Sequence, residues 1–489
     1  PVMLIAIANN YGIHIISHYY EFTSLDPTAS RGEILRKTMR KLGIPIFLAG
    51  LTTVISFLSL TYHALPRARE MGALISFGIC VAFLLSIFLI PSVLVLVPRP
   101  TYLSKKNNMA GINNFLIGMG RIFTRYRVPV LVFLLAVGVW LSMGINLLKV
   151  DTNPDHYFPK NSRLRVANTE IGEAFGGSTQ MNILVEGDIF DPQVLRNIEM
   201  LTDHVKEQYD IVTKSYSIVD VIKRMHAGFN GGNPEMEIIP EDRETIAQYM
   251  FLYSLSGDDD EFDFILDDME TPEHTQIFLR LKGVQTFTIA EIVEDTEQYI
   301  QANFYDEPPI ILTGGAALLG VLSRMVVRGQ MITLLFSILI ILSIMTVVFR
   351  SLIGGLLATI PMAGSVMMMF GLMGYLDIPL NMTTSMLTSI LVGVGVDYTV
   401  HFLWHLRDHI KEGEPMDEAI ATTFRISGKG IIFNGLSVII GFFAFFFFVF
   451  VPVQIFGILI MGSISFCLFG ALATLPALTS LLKPRFLYR

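Results

Sequence analysis

Apolar residues gather along this chain in nine long runs, roughly 1–19, 44–63, 71–97, 128–147, 331–349, 353–375, 384–405, 430–450 and 453–480. A helix needs about 20 mostly apolar residues to cross the hydrocarbon of a bilayer, so the pattern predicts nine spanning helices. Between the fourth and fifth runs the periodicity changes. Residues 181–185 and 211–218 read as strands around a helix at 192–208, and residues 275–281 and 309–313 read as strands around a helix at 288–302. Two β-α-β units in one segment predict an α+β domain of small sheets, with helices on one side.

Composition agrees with lipid as the solvent. Residues are 52 % hydrophobic and 16 % charged, where a soluble protein carries roughly a quarter charged. The charge is unevenly placed: residues 151–307 hold 32 of the 43 carboxylates but 11 of the 35 lysines and arginines, which makes this segment an acidic extramembrane domain. Basic residues mark the other loops. Arg31, Arg36, Lys37, Arg40 and Lys41 follow the first run, and Lys105, Lys106, Arg121, Arg125 and Arg127 precede the fourth. Arg407, Lys411, Arg425 and Lys429 lie between the seventh and eighth, Lys483, Arg485 and Arg489 end the chain, and residues 377–381 carry no positive charge. Excess Lys and Arg stays cytoplasmic, so these loops are expected inside and the acidic domain outside.

Several function classes drop out. Cys80 and Cys467 both sit in apolar runs, which leaves no disulfide framework or zinc spacing and predicts packing thiols. The glycine-rich stretches at 230–233 and 314–315 lack a following Lys-Ser/Thr, so no phosphate-binding loop for ATP is present. No basic stripe fits nucleic acid. The acidic run Asp258, Asp259, Asp260 and Glu261, with Asp267, Asp268 and Glu270, lacks EF-hand ligand spacing and reads as a solvated surface. Residues 109–123 suit either an amphipathic helix on the cytoplasmic membrane surface or a plain linker. The chain opens on Pro1 inside an apolar run, without initiator Met or charged leader, which is the expectation for a truncation point.

The chain also repeats itself. Residues 10–21 (NYGIHIISHYYE) align with 397–408 (DYTVHFLWHLRD), and after a two-residue adjustment Gly43, Ile46, Gly50, Gly72 and Pro91 meet Gly428, Ile431, Gly435, Gly457 and Pro476. Three helices near the start therefore read as paralogues of the last three. Related halves that rock about a shared site are a transporter signature. The second copy is preceded by three further runs and a soluble domain, so matching elements are expected upstream of residue 1.

Chemistry concentrates at one place. Asp397, in LVGVGVDYTVHF, is the single carboxylate deep within any of the nine runs. A charge at the bilayer centre costs ~2.5 to more than 10 kcal/mol, so such a residue is rare unless function demands it. The default reading is a proton carrier, because desolvation favours the neutral acid and hydration favours the ion. His401 follows four residues later on the same helix face. The paralogous helix carries Asn10 and His14 at the matching positions, with Tyr11 and Tyr398 beside them. Packing of the two helices would join Asp397, Asn10, His14 and His401 in one polar cluster. The competing reading makes Asp397 a structural residue held in a permanent hydrogen bond, and for His14 and His401 a structural and a relay role stand level. Metal is not expected, because the facing helix offers no second carboxylate or thiol. Gly393 and Gly395, with Ala6 and Ala8 opposite them in the repeat, read as positions of close helix packing.

Three segments carry a family resemblance: GVGVDYTVHFLWHLRD, FPKNSRLRVANTEIGEAFGGSTQMNILVEGD just after a spanning run, and LTGGAALLGVLSRMVVRGQ before the next. Together they resemble the resistance-nodulation-division (RND) superfamily, in its branch of MMPL-domain proteins and hydrophobe/amphiphile exporters. The resemblance implies a polytopic α-helical membrane protein with an RND-type transmembrane bundle and an external α+β porter domain. Residues 1–98 would be three transmembrane helices ending a first half-bundle, 99–127 a cytoplasmic linker, 128–148 one transmembrane helix, 149–328 the porter domain, and 329–489 five helices that include the repeat of 1–98. A full protein of this kind has twelve spans, of which this chain would supply the fourth to the twelfth.

The resemblance also implies a proton relay on Asp397 and Tyr398 and on Asn10 and Tyr11, with His401 and His14 close by. Many relatives place an acidic residue in both central helices, whereas this chain has Asn9 and Asn10 in the first, so coupling would rest on Asp397 alone. The implied function is proton-motive-force-driven export of hydrophobic or amphiphilic molecules, lipids among them, across or out of the cytoplasmic membrane, with no cofactor and no covalent chemistry. Its partners would be protons, the membrane, the exported molecule and a second copy in a homo-oligomer. The alternatives are a sterol-sensing or receptor-like lipid-binding protein, against which the intramembrane Asp argues, and a Sec-accessory translocation motor, whose chains have fewer spans.

Overall fold

The computed structural model describes residues 2–26, 28–97, 110–255, 264–268, 271–282, 286–304 and 309–488. The chain begins with α1 (Val2–Leu25), α2 (Arg31–Leu58), α3 (Pro66–Leu96), α4 (Ala110–Arg125) and α5 (Arg127–Met143). It continues through α6 (Arg163–Phe175), β1 (Thr179–Glu186), α7 (Pro192–Gln208), β2 (Val212–Tyr216), α8 (Ile218–Phe229), α9 (Arg243–Ser254), β3 (His274–Leu281), α10 (Thr286–Asn303) and β4 (Ile310–Thr313). It ends with α11 (Gly314–Phe349), α12 (Leu352–Tyr375), α13 (Leu387–Lys411), α14 (Met416–Thr423), α15 (Lys429–Phe443), α16 (Val451–Phe469) and α17 (Leu475–Leu482). Two compact units result: residues 1–149 with 326–489, and residues 150–325.

The first unit is a helical bundle of a multi-pass membrane protein. Among the described residues, eight helical segments are long and apolar enough to cross a bilayer, one fewer than the runs predicted. The difference is α1: it is a helix of 24 residues, but Asn9, Asn10, His14 and His18 dilute its apolar character. Helix ends also extend beyond the apolar runs. A capping box starts α2, with the Glu33 N–H donating to Ser30 Oγ at 3.2 Å and the Ser30 N–H donating to Glu33 Oε2 at 2.8 Å. α11 begins at Gly314, well before its apolar stretch, because Leu, Met, Arg and Gln continue a helix as readily in water as in lipid. Within the stretch expected at 109–123, the described residues form α4, which packs on α14 at Gly120, where an added Cβ would stand 3.3 Å from Ala421 Cα.

Burial divides the helices by role. The most apolar window of α13 is 100 % buried, against 17 % for α3 and 11 % for α5. α13 is wrapped by α2, α12, α14 and α16, whereas α3 presents Leu74, Phe77, Leu85 and Phe88 outward, where lipid chains cover them. Elsewhere helices cross on glycine. A Cβ added at Gly371 of α12 would collide with the Leu141 carbonyl of α5, and one at Gly374 would collide with the Gly144 carbonyl that follows it. Matching positions of the repeat share such contacts: a Cβ at Gly72 would strike Leu60 Cβ at 2.6 Å, and one at Gly457 would strike Phe445 Cβ at 2.6 Å.

The second unit is an α+β domain on one four-stranded sheet, with order β2-β3-β1-β4 and antiparallel pairing throughout. This corrects the expectation of small separate sheets. The units β1-α7-β2 and β3-α10-β4 interleave, so each unit's strands are separated by one from the other, and neither unit has a sheet of its own. Alternation places Met181, Ile183 and Val185 of β1 and Ile277, Leu279 and Leu281 of β3 in one core with Leu195, Ile198, Leu201 and Val205 of α7 and Ile289, Ile292 and Val293 of α10. β2 stops at Tyr216, short of the predicted residue 218, because Asp220 caps a new helix by accepting the Ser217 N–H at 2.9 Å. The acidic residues Asp258, Asp259, Asp260, Glu261 and Glu270 lie outside the described residues.

Two stability predictions follow from these contacts. Gly371→Ala forces backbone apart at the α5–α12 crossing and is expected to cost about 1–3 kcal/mol. Gly364→Ala, on the same helix with nothing within 4 Å of the added carbon, is expected to be neutral or slightly stabilising; melting of the detergent-solubilised variants compares them. In the sheet domain, the hydrogen bond from His274 Nδ1 to Asp267 Oδ2, 2.7 Å long, raises the imidazole pKa, with Glu186 adding to it. A raised histidine pKa contributes stability below its unfolded value of about 6.5 and loses it as pH rises through the folded value. The melting difference between wild type and His274→Gln is therefore expected to be largest in mildly acid buffer and to shrink above neutrality.

Candidate functional site

Asp397 lies near the middle of the enclosed helix α13. Small residues create the enclosure. A Cβ on Gly393 would stand 3.3 Å from Ser56 Cβ of α2, and one on Gly395 would stand 2.6 Å from Cys467 Sγ of α16. Neighbouring helices thus press on bare backbone just before the carboxylate, which is itself 0 % exposed.

The Asp397 oxygens lie 3.2 and 3.3 Å from Thr53 Oγ1 of α2. That hydroxyl is also 2.8 Å from the Ala49 carbonyl, one turn back on its own helix, and 3.2 Å from the Gly393 carbonyl. A hydroxyl has one proton to give and two lone pairs to offer. Turned toward Asp397 it donates to a carboxylate; turned back onto Ala49 it presents a lone pair to a carboxylic acid. Thr53 therefore accommodates either protonation state without moving a heavy atom.

Tyr11 enters from α1, edge-on to Phe83 with ring centroids 5.6 Å apart and within electrostatic reach of Asp397. Tyr398 turns toward α15, its Oη 3.6 Å from where a Cβ on Gly435 would stand. His14 and His401 meet face to face, with centroids 4.0 Å apart and planes 15° apart. α15 leaves room for this stack: a Cβ on Gly430 would stand 3.1 Å from His14 Nδ1. Asn10 belongs to α1, but its side chain, like those of Ala6 and Ala8, lies outside the described residues.

The structure adds three residues to those singled out from sequence. Thr53 is one. His18 and His405 are the others, stacked one turn further along with centroids 5.4 Å apart. Their signal was present in the repeat, where His18 aligns with His405 just as His14 aligns with His401. Thr53 gave none, because a threonine that bonds back to its own helix passes unnoticed in an apolar run.

Comparison with known proteins bears on the family and the fold. The chain is 25 % identical over 375 residues to the putative membrane protein MJ1562 of Methanocaldococcus jannaschii, covering 71 % of this chain and 89 % of that one. It is 21 % identical over 211 residues to the probable transport protein MmpL10 of Mycobacterium leprae, covering 42 % of this chain and 21 % of the relative. It is 24 % identical over 107 residues to the sulfolipid-1 exporter MmpL8 of Mycobacterium tuberculosis, covering 22 % of this chain and 10 % of the relative. In fold it resembles the hedgehog release protein Disp from the water bear Hypsibius dujardini, with a TM-score of 0.71 at 11 % identity. That match covers 99 % of this chain and 63 % of the Disp chain, so this chain spans less than two thirds of its structural neighbour. Residues 1–132 and 280–488 match the profile of the MMPL family, and the chain belongs to that family.

Proposed function

We propose that this chain couples proton movement into the cell to the export of hydrophobic or amphiphilic molecules, lipids among them, from the cytoplasmic membrane. Asp397 binds the proton, Thr53 partners it in both states, and Tyr11, Tyr398, His14 and His401 serve as a relay, with Asn10 the repeat's counterpart of Asp397. The observation that carries this reading is a carboxyl with 0 % exposure in a helix enclosed on every side. An ion left there costs ~2.5 to more than 10 kcal/mol, while one charge crossing 100 mV supplies about 2.3 kcal/mol. Loading and unloading this single carboxyl is thus a step on which a membrane potential can act.

Membership of a family of transporters supports a transport role, and the relative named as a sulfolipid-1 exporter supports an amphiphilic cargo. The basic loops around Arg36, Arg125 and Arg425 support a cytoplasmic face there, with the sheet domain on the opposite side.

Two measurements test this. Asp397→Asn keeps volume and hydrogen bonding but cannot titrate, so it is expected to lower pH-gradient-driven efflux about a hundredfold with melting unchanged, whereas Tyr398→Phe and His401→Ala lose roughly tenfold or less. A normal rate for Asp397→Asn under a pH gradient sinks the coupling site, and lost melting before lost transport marks a structural aspartate. A cysteine placed by Glu235→Cys in the sheet domain is expected to react with an impermeant reagent from outside the cell; reaction only after permeabilisation reverses the topology.

A further inference from the structure

The polar side chains of α1 and α13 do not stop at Asp397. Asp397, His401, His405 and His409 recur every four residues on α13, as His14 and His18 do on α1, and this spacing lines up one face of a helix. The structure stacks the two columns. His14 lies on His401, His18 lies on His405, and the His401 and His405 rings are 6.5 Å apart and 14° from parallel. All four rings are buried. His14 Nε2, His401 Nδ1 and both nitrogens of His405 have no hydrogen-bond partner among the described residues. Most buried polar nitrogens in native structures are hydrogen-bonded, to protein or to water, and each one left open costs about 1–3 kcal/mol.

The column ends on carboxylates. His18 Nδ1 is 3.3 Å from Glu21, and His409 Nδ1 is 3.4 Å from Glu414 and 3.6 Å from Glu412, whose side chain is exposed. From Asp397 to His409 the helix rises ~18 Å, so the column leads from a sealed carboxyl to water. Cations surround its mouth: Lys41 of α2 acts on His405, Asp408 and Glu21, Arg425 also acts on Glu21, Lys429 lies opposite Glu21, and Arg407 acts on Asp408.

We propose that His14, His401, His18, His405 and His409 form a proton wire joining Asp397 to Glu21, Glu412 and Glu414, so that the coupled ion is a proton and not a metal cation. The wire rests on the reading of Asp397 as the coupling site. An imidazole accepts a proton on one nitrogen and releases one from the other, so each hop makes one N–H bond as another breaks. Rings lying face to face do not aim N–H groups at each other, and a hop proceeds through water or a ring flip. The rings of His14 and His401, 4.0 Å apart, repel when both are charged, which limits that pair to one proton beyond its two neutral N–H groups. A hydrated alkali cation finds no chain of oxygen ligands along imidazole faces.

The test uses the whole protein in vesicles, with dicyclohexylcarbodiimide labelling of Asp397 as a probe of its protonated form. pH is jumped on one side at a time. Wild-type labelling is expected to follow a jump on the side facing Glu412. In the His18→Phe/His405→Phe double variant that response is expected to slow roughly a hundredfold. His405→Gln keeps a polar side chain of similar reach and is expected to slow it likewise, with wild-type melting as proof of folding. Equal speed in wild type and His405→Gln overturns the wire, as does a wild type that ignores pH on that side or is protected from labelling by sodium at fixed pH. If wild-type Asp397 is not labelled at any pH, the coupling site itself falls, and the wire with it.

Discussion

The structure of the bundle depends on burying one carboxylate in a helix that has no outward side. Such a helix cannot trade contact with lipid against contact with protein, so every turn of α13 has to be matched by a neighbour. Around the carboxylate this is done by subtraction. Gly393 and Gly395 remove side chains so that α2 and α16 close on the backbone, and the Thr53 hydroxyl stands within hydrogen-bond distance of both carboxylate oxygens. A counter-ion would have fixed Asp397 as a permanent anion, whereas a hydroxyl leaves its state free to change.

The same logic separates the helices at the rim. α3 and α5 are mostly uncovered by protein, and their sequences are apolar without pattern because lipid makes no demand on spacing. α1 lies between these extremes. It packs against α2, α3 and α15 and meets α13 through histidine rings, so His14 and His18 are enclosed by the bundle although the composition of α1 alone would not carry it across a bilayer.

Much of this was legible in the sequence, for identifiable reasons. A spanning helix is written in length and apolarity, and eight of nine segments were read correctly as long apolar helices. In the sheet domain, α7 was placed residue for residue, because Asp191 and Pro192 form a standard start. The isolated carboxylate singled out the candidate site because its cost in lipid is so large. What stayed hidden depends on the third dimension. The interleaving of the two β-α-β units is set by pairing between distant strands, and one partner of Asp397 is a threonine 344 positions away. His18 and His405 were visible in the aligned repeat, yet a histidine near a helix end has a bland explanation until its ring is seen lying on another.

The repeat has one consequence for mechanics. Leu60 and Phe445 take equivalent places beside Gly72 and Gly457, so the backbone template is used twice, yet the titratable carboxyl is present in one copy alone, with Asn10 at the matching position of the other. Where Thr53 stands in the first copy, the second has the buried Val438. Under the proposed coupling, a proton arriving at Asp397 neutralises a charge carried by one three-helix block, while the twin supplies the Thr53 hydroxyl that faces it. Two blocks built on one template but unlike in charge give the bundle a built-in asymmetry: under that coupling, a change of protonation alters the contact between the blocks and favours their relative displacement over a uniform swelling.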